Sequence, residues 1–272
     1  MIMFFIVLFI GLMLGSFINA LVFRMHEKSN KKYKKNNLSI FTGRSICPNC
    51  KHILSATDLV PVISWLMLKG KCRYCKTSIS IQYPVVELLS AVLFGISYIF
   101  WPYGFDLLGS TQLVVWLVMV VGFISLSIYD LKWLILPNRA VLILTLLAVS
   151  DILIITVLSS HHYRDAMLAV LSGIIIFGFF WCLFIISSGE WIGGGDVKIG
   201  FLLGLLAGTP FKSFLIIFLA SLMGTLLFAP SLVMKKRKIN SHIPFGPFLI
   251  LATFIVFLFG NRIIHWYGSL VF

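Results

Sequence analysis

Residues Gln112–Asn138 read QLVVWLVMVVGFISLSIYDLKWLILPN, and this stretch decides the fold class. From 112 to 129 it is an almost unbroken apolar run without a charge, close to the length a helix needs to cross ~30 Å of hydrocarbon. The run then meets Asp130 and Lys132, so its end marks a membrane boundary. A carboxylate near hydrocarbon is costly and is usually paired, lining water, or functional. Pro137, seven residues past Asp130, resets the chain before the next apolar run.

The same pattern repeats outward in both directions. Apolar runs lie near 2–23, 85–101, 112–129, 139–158, 167–187, 197–209, 213–234 and 245–262. They predict an all-α polytopic membrane protein of about eight transmembrane helices, the sixth being the shortest. Composition agrees: 60% of residues are apolar, 11% are charged and the mean hydropathy is +1.03, whereas soluble domains are about a quarter charged. The first run has no Lys or Arg before it and no small-residue cleavage site after it, so it reads as a retained anchor.

Basic residues then set the orientation, because Lys and Arg collect in cytoplasmic loops. With the N-terminus outside, the cytoplasmic side holds twelve basic residues between Arg24 and Lys76, then Lys132, Arg139, Lys198, Lys235, Lys236, Arg237 and Lys238. Only Arg164, Lys212 and Arg262 remain outside. The net charge of +13 is therefore mostly a topology signal. Its partner is lipid, and no nucleic acid is expected. The predicted organisation is a first transmembrane helix over 1–23, a cytoplasmic loop over 24–84 and a transmembrane core over 85–272.

The loop opens with EKSNKKYKKNN at Glu27–Asn37, too polar to bury a core, which reads as a flexible linker on the lipid surface. Two C-x2-C knuckles follow, Cys47 with Cys50 and Cys72 with Cys75, separated by twenty-one residues. Each knuckle can supply two sulfurs to a tetrahedron, and this spacing predicts a small ribbon-like insertion holding zinc. Four thiolates close the shell and leave no position for substrate, so the metal would be structural. Disulfides suit a reduced cytoplasmic loop poorly. A redox pair is the other reading, and Cys182, alone inside a helix, reads as a packing residue.

A second carboxylate word, GGGDVK at Gly193–Lys198, begins the sixth run. By the predicted topology Asp196 and Asp130 face the same, cytoplasmic boundary. Glycines at 193, 194 and 195 remove side chains from a helix entrance and let another backbone approach. A glycine-rich turn capped by Asp accounts for Asp196 equally well, and a solvated boundary charge accounts for Asp130. Lys198 is either a partner of Asp196 or a snorkelling lysine. Glu87 is either a site residue or the anion of a helix N-terminus. Asn138 either positions the Asp130 loop or makes a turn.

Taken together, these words resemble those of the type IV prepilin peptidases, intramembrane aspartyl proteases of the GxGD type. Asp130 with Pro137 matches the family's D-x6-P word; Gly193, Gly195, Asp196 and Lys198 match its G-x-G-D-x-K word. GSFINALVFR at Gly15–Arg24, the paired knuckles, QYPVVELLS at Gln82–Ser90 and PFGPFL at Pro244–Leu249 look like further family motifs in family order. The resemblance implies an aspartic endopeptidase that cleaves the basic leader of type IV prepilins, or of competence or secretion pseudopilins, at the cytoplasmic membrane face. Asp130 and Asp196 would be catalytic, with Gly193, Gly195, Lys198, Pro137, Asn138 and Glu87 in support. It also implies possible N-methylation of the new N-terminus from S-adenosylmethionine, although no glycine-rich nucleotide word is visible here.

The expected chemistry is that of a shared proton. Two close carboxylates do not both ionise cheaply, so one stays protonated while the other draws a proton from the attacking water. Helix-end polarity assigns the base to Asp196 and the acid to Asp130. A zinc intramembrane protease would need H-E-x-x-H, which the chain lacks. Two non-enzyme readings compete: a proton-coupled transporter using paired membrane acids, and a scaffold whose zinc module recruits a partner. The transporter predicts acids near the midplane, and the scaffold leaves both Asp words unexplained.

Overall fold

The computed structural model describes residues 1–29, 44–158, 163–233 and 244–271. Most of the Lys/Asn-rich linker and the basic group at Lys235–Lys238 lie outside the described residues. Within them the chain is almost entirely helical: α1 (Ile2–Ser29), a short α2 (Ile63–Met67), α3 (Gln82–Ile99), α4 (Leu107–Trp133), α5 (Asn138–Leu158), α6 (Tyr163–Ile186), α7 (Gly194–Ala207), α8 (Pro210–Val233) and α9 (Gly246–Val271). Among the described residues, seven helices are long and apolar enough to cross a membrane: α1, α3, α4, α5, α6, α8 and α9. The chain is a multi-pass membrane protein. Large apolar side chains on these helices stand exposed, as on α5 at Leu142, Ile143, Leu146, Leu153 and Ile154. Such a surface is stable in lipid and not in water.

The shortest predicted run is α7, whose 14 residues rise only about 21 Å. Its apolar character has a different origin from that of its neighbours. Val197, Ile199, Leu202, Leu203, Leu205 and Ala207 are all buried, and α5, α6, α8 and α9 all pack against it. A helix apolar on every side is one enclosed on every side, here by protein. Its closest neighbour approaches at Gly204, where a Cβ would stand 2.6 Å from Gly173 Cα on α6. Gly208 has another use: at φ +73° it is the left-handed residue that ends α7.

The chain divides into two compact units. The first is Met1–Trp101 together with Trp116–Ser125. In it α1 packs on α3, and a Cβ on Gly15 would lie 2.6 Å from Glu87 Cα, so only glycine permits that approach. Polar groups lock the pair: Asn19 Nδ2 donates to the carbonyls of Gly15 and Tyr83, both at 3.3 Å, and Gln82 Nε2 donates to Asn19 Oδ1 at 3.3 Å. The Trp116 indole N–H donates to Ser97 Oγ at 3.0 Å, joining α4 to α3. The second unit is Pro102–Val115 together with Leu126–Phe272. It contains both aspartate words.

Candidate active site and candidate metal centre

Asp130 lies in the last turn of α4. The helix ends three residues later, at Trp133, and is capped by Leu134 at φ +54°, whose N–H donates to the Asp130 carbonyl at 2.8 Å. Asp196 is the third residue of α7, and its N–H donates to the Gly193 carbonyl at 3.0 Å. One carboxylate thus sits at a helix C-terminus and the other at a helix N-terminus. Asp130 is 6% exposed, and its Oδ2 has no hydrogen-bond partner among the described residues. Asp196 is half-buried.

The two carboxylates meet at α9. A Cβ built on Gly246, the first residue of that helix, would stand 2.8 Å from Asp130 Oδ2 and 3.6 Å from Asp196 Oδ1. Asp130 and Asp196, 66 residues apart in sequence, therefore flank one glycine. An arrangement of this kind can share a proton and can hold a water between a base and an acid.

Side chains that follow each aspartate cross-link the two words. Leu136, from the Asp130 word, lies on Gly195: a Cβ there would be 3.1 Å from Leu136 Cβ. At Gly193 a Cβ would meet Asp196 Oδ2 at 3.8 Å, an ordinary contact, so steric need for glycine falls on 195 and not on 193. Lys198 Nζ donates to Asn138 Oδ1 at 2.9 Å, tying the last residue of one word to the last of the other. The Pro137 carbonyl accepts from Ala140 and Val141 at 3.0 and 3.2 Å, starting α5. Glu87 belongs to the first unit, where it is buried and its Oε2 accepts from the Val62 N–H at 2.7 Å. Val62 holds φ +60°, an unfavourable angle for a β-branched residue, so this bond fixes a strained turn at the start of α2.

The four cysteines converge in the first unit. The sulfurs of Cys47, Cys50, Cys72 and Cys75 lie within 4.8 Å of one another, and none is in a disulfide. Two matching turns present them. Cys47 N–H donates to the His52 carbonyl and Lys51 N–H to the Cys47 carbonyl, at 3.0 and 2.9 Å; Cys72 with Thr77 and Lys76 with Cys72 repeat this at 2.8 and 3.0 Å. Lys51 and Lys76 both sit at φ +59°. A short antiparallel bridge closes each turn, Ile46 with Ile53 and Lys71 with Ser78. Asn49 Nδ2 joins the turns by donating to Thr77 Oγ1 at 2.8 Å. The Thr77 hydroxyl, its backbone and Asn49 hold the Cys75 thiol down at about 5. A set of four sulfurs of this kind can hold a metal ion.

The module is braced by Asp58. Its Oδ1 accepts from Arg73 Nε at 2.6 Å and its Oδ2 from Tyr74 Oη at 3.2 Å. Burial acts to raise the Asp58 carboxyl, but hydrogen bonds from Ser55 and Arg73 outweigh it and hold the group below its ordinary value. Sequence reading missed Asp58, Val62 and Gly246. Gly246 was visible only within PFGPFL, a word without an ionisable group.

Comparison with known proteins gives the chain's family. Residues 9–101 match the bacterial peptidase A24 N-terminal domain, and residues 117–229 match the type IV leader peptidase family. A prepilin leader peptidase/N-methyltransferase from Stutzerimonas stutzeri is 32% identical over 273 residues, covering 94% of this chain and 90% of the relative. Proteins of the same name from Pseudomonas aeruginosa and Aeromonas salmonicida are 30% and 29% identical, covering 95% and 98% of this chain and 91% and 94% of the relatives. No solved structure matches. With similarity running nearly end to end and both family models in order along it, the chain belongs to the type IV leader peptidase family.

Proposed function

We propose that Asp130 and Asp196 are the catalytic pair of an aspartic endopeptidase that removes the basic leader of type IV prepilins or pilin-like precursors. The observation that carries this reading is the approach of both carboxylates to Gly246. The relatives are named for prepilin leader cleavage, and nothing in the matches favours a transporter. The proposed orientation places the N-terminus outside and the aspartates near the cytoplasmic face, where a basic leader would wait.

The reaction follows from the pair. The ionised carboxylate takes a proton from water, which attacks the scissile carbonyl, while the protonated one donates to the carbonyl oxygen. The product of this step is a tetrahedral diol that is not bonded to the enzyme. Collapse returns a proton to the leaving amine and breaks the C–N bond. Lys198, Asn138, Leu136 and Gly195 keep the two words in register during these steps. A cut at the membrane surface needs little unwinding of the substrate's own helix.

For the cysteine cluster we propose structural zinc. Tetrahedral Zn–S bonds of ~2.3 Å put sulfurs about 3.8 Å apart, and Cys47 Sγ lies 3.8 Å from Cys75 Sγ. Zinc there would clamp the two turns together. The relatives' names also couple cleavage to N-methylation. S-adenosylmethionine would supply the methyl group, but the glycine triplet Gly193–Gly195 opens α7 at the aspartates and offers it no separate cradle.

The test is cleavage of a pilin-like precursor, with a basic leader ending in Gly before an apolar helix, by membranes carrying wild type, Asp130→Asn or Asp196→Asn at equal expression. Both variants are expected to lose cleavage. Full activity in either removes that residue from catalysis.

A further inference from the structure

PFGPFL at Pro244–Leu249 contains no group that can act as acid, base or nucleophile, yet it forms the start of α9 at the aspartate pair. Three observations meet at its glycine. The first is steric: a Cβ on Gly246 would press on Asp130 Oδ2 at 2.8 Å and touch Asp196 Oδ1 at 3.6 Å. The second concerns donors. Pro247 has no N–H, and the N–H groups of Phe248 and Leu249 both go to the Phe245 carbonyl, at 3.1 and 3.2 Å. Among the described residues the Gly246 N–H makes no such backbone bond; it lies at the positive end of α9, and the glycine itself stands against the Asp130 carboxylate. The third is that Asp130 Oδ2, the very atom a Cβ would strike, is buried without a hydrogen-bond partner among the described residues.

We propose that Gly246 is a positioning residue for the aspartate pair: its missing side chain lets the first turn of α9 close on both carboxylates and sets their separation. This rests on the reading of Asp130 and Asp196 as the catalytic pair. What yields to an added methyl decides the consequence. At Gly204 the obstruction is backbone, so a side chain there would push α6 and α7 apart. At Gly246 it is the end of an aspartate side chain, which can rotate. The fold then survives while the carboxylate moves. Gly224 provides the contrast in the same unit, since a Cβ there meets Phe245 and Phe248 at ordinary distances of 3.9 and 4.0 Å.

The experiment is steady-state cleavage of the pilin-like precursor by the full-length protein in membranes, comparing Gly246→Ala and Gly224→Ala with Asp130→Asn and Asp196→Asn. Gly246→Ala is expected to lose about 100-fold in kcat with KM little changed, the cost of displacing a reacting group by around 1 Å. Its bell-shaped pH–rate profile should also narrow, because carboxylates held further apart share their proton less tightly. Gly224→Ala is expected to keep kcat within about twofold, because the added methyl meets its neighbours only at ordinary van der Waals distances. Wild-type kcat and pH profile in Gly246→Ala, with both Asn variants inactive, would overturn the role of Gly246 alone. Activity in the Asn variants would overturn the catalytic pair and this inference with it. Should Gly246→Ala fail to accumulate, the double variant Asp130→Ala/Gly246→Ala decides: recovery to the level of Asp130→Ala supports the contact, and no recovery refutes it.

Discussion

The cysteine cluster and the aspartate pair are built alike and finished differently. Each gathers ionisable side chains from two short words far apart in the chain, and each word turns sharply beside its ligand or carboxylate. Around the cysteines the turns are filled with donors: backbone N–H groups of Cys47, Lys51, Cys72 and Lys76 are all used, and Asn49 and Thr77 bond across the gap. Around the aspartates the neighbours include Leu136, Gly195 and Gly246, and Asp130 Oδ2 has no hydrogen-bond partner among the described residues. A satisfied cluster holds its shape and does no more. An unsatisfied buried carboxylate retains capacity for a water and a carbonyl, at a standing cost in stability. The difference separates a structural site from a candidate reactive one.

The sharpest way to break this comparison is to exchange the consequences of mutation. Asp130→Asn and Asp196→Asn should each lower kcat by 100- to 10,000-fold, the range for losing a general acid or base, while leaving the melting temperature equal to or above that of wild type. Cleavage rates and thermal denaturation on the same membranes check both halves. A fall in melting temperature matching the loss in rate would show that the aspartates are structural after all.

Cys72→Ser should do the reverse. Metal content, measured on purified protein, should fall to near zero, and accumulation should drop several-fold because metal binding is coupled to folding of such modules. Cleavage per folded molecule should stay within a few-fold of wild type. Normal accumulation of a metal-free Cys72→Ser protein would refute the structural zinc, and loss of cleavage in well-folded protein would give the module a role in substrate handling.

How much of this was open to sequence reading follows from the range of the interactions. The aspartate words stood out because a charge interrupts an apolar run, and the knuckles because four cysteines keep a local spacing. Both signals are short-range. The spans were legible for the same reason, although α7 shows its limit: apolar composition cannot distinguish a helix sheathed in protein from one facing lipid, and only its 14-residue length hints at the former. Gly246 was hidden because its role is an absence, a missing methyl whose meaning depends on two carboxylates brought from elsewhere. Glu87 was visible as a site residue or a helix N-terminal anion, but its partner is a backbone N–H twenty-five residues away on a strained Val62, and no residue pattern announces that.

Glu87 therefore offers a test of intermediate size. A hydrogen bond to a charged acceptor contributes about 1.5–3 kcal/mol, so Glu87→Ala should destabilise the first unit by that order and loosen α2 from α3. Glu87→Gln keeps an acceptor oxygen and should recover most of it. Hydrogen exchange at the Val62 amide reports directly on the bond. Unchanged protection in Glu87→Ala would show that the turn is held by something else.

The smallest effect belongs to the Lys198–Asn138 pair, and it probes the aspartate side of the comparison from its rim. Lys198 is exposed, and the bond from its Nζ to Asn138 Oδ1 is open to water, so its net contribution is of the order of 1 kcal/mol. That corresponds to roughly a fivefold change in kcat if the pair holds Asp130 and Asp196 in register, and to none if Lys198 merely snorkels. On a helix, residues two apart point to different sides, so Lys198 acts on Asp196 through Asn138 and the loop that ends there. The consequence is a specific pattern of coupling. Lys198→Ala, Asn138→Ala and the double variant should lose about the same activity, with no further loss in the double. Lys198→Arg, which keeps a donor of similar reach, should lose less. Additive losses in the double variant would mean that each residue acts separately, and Lys198 would then have to be placed against substrate.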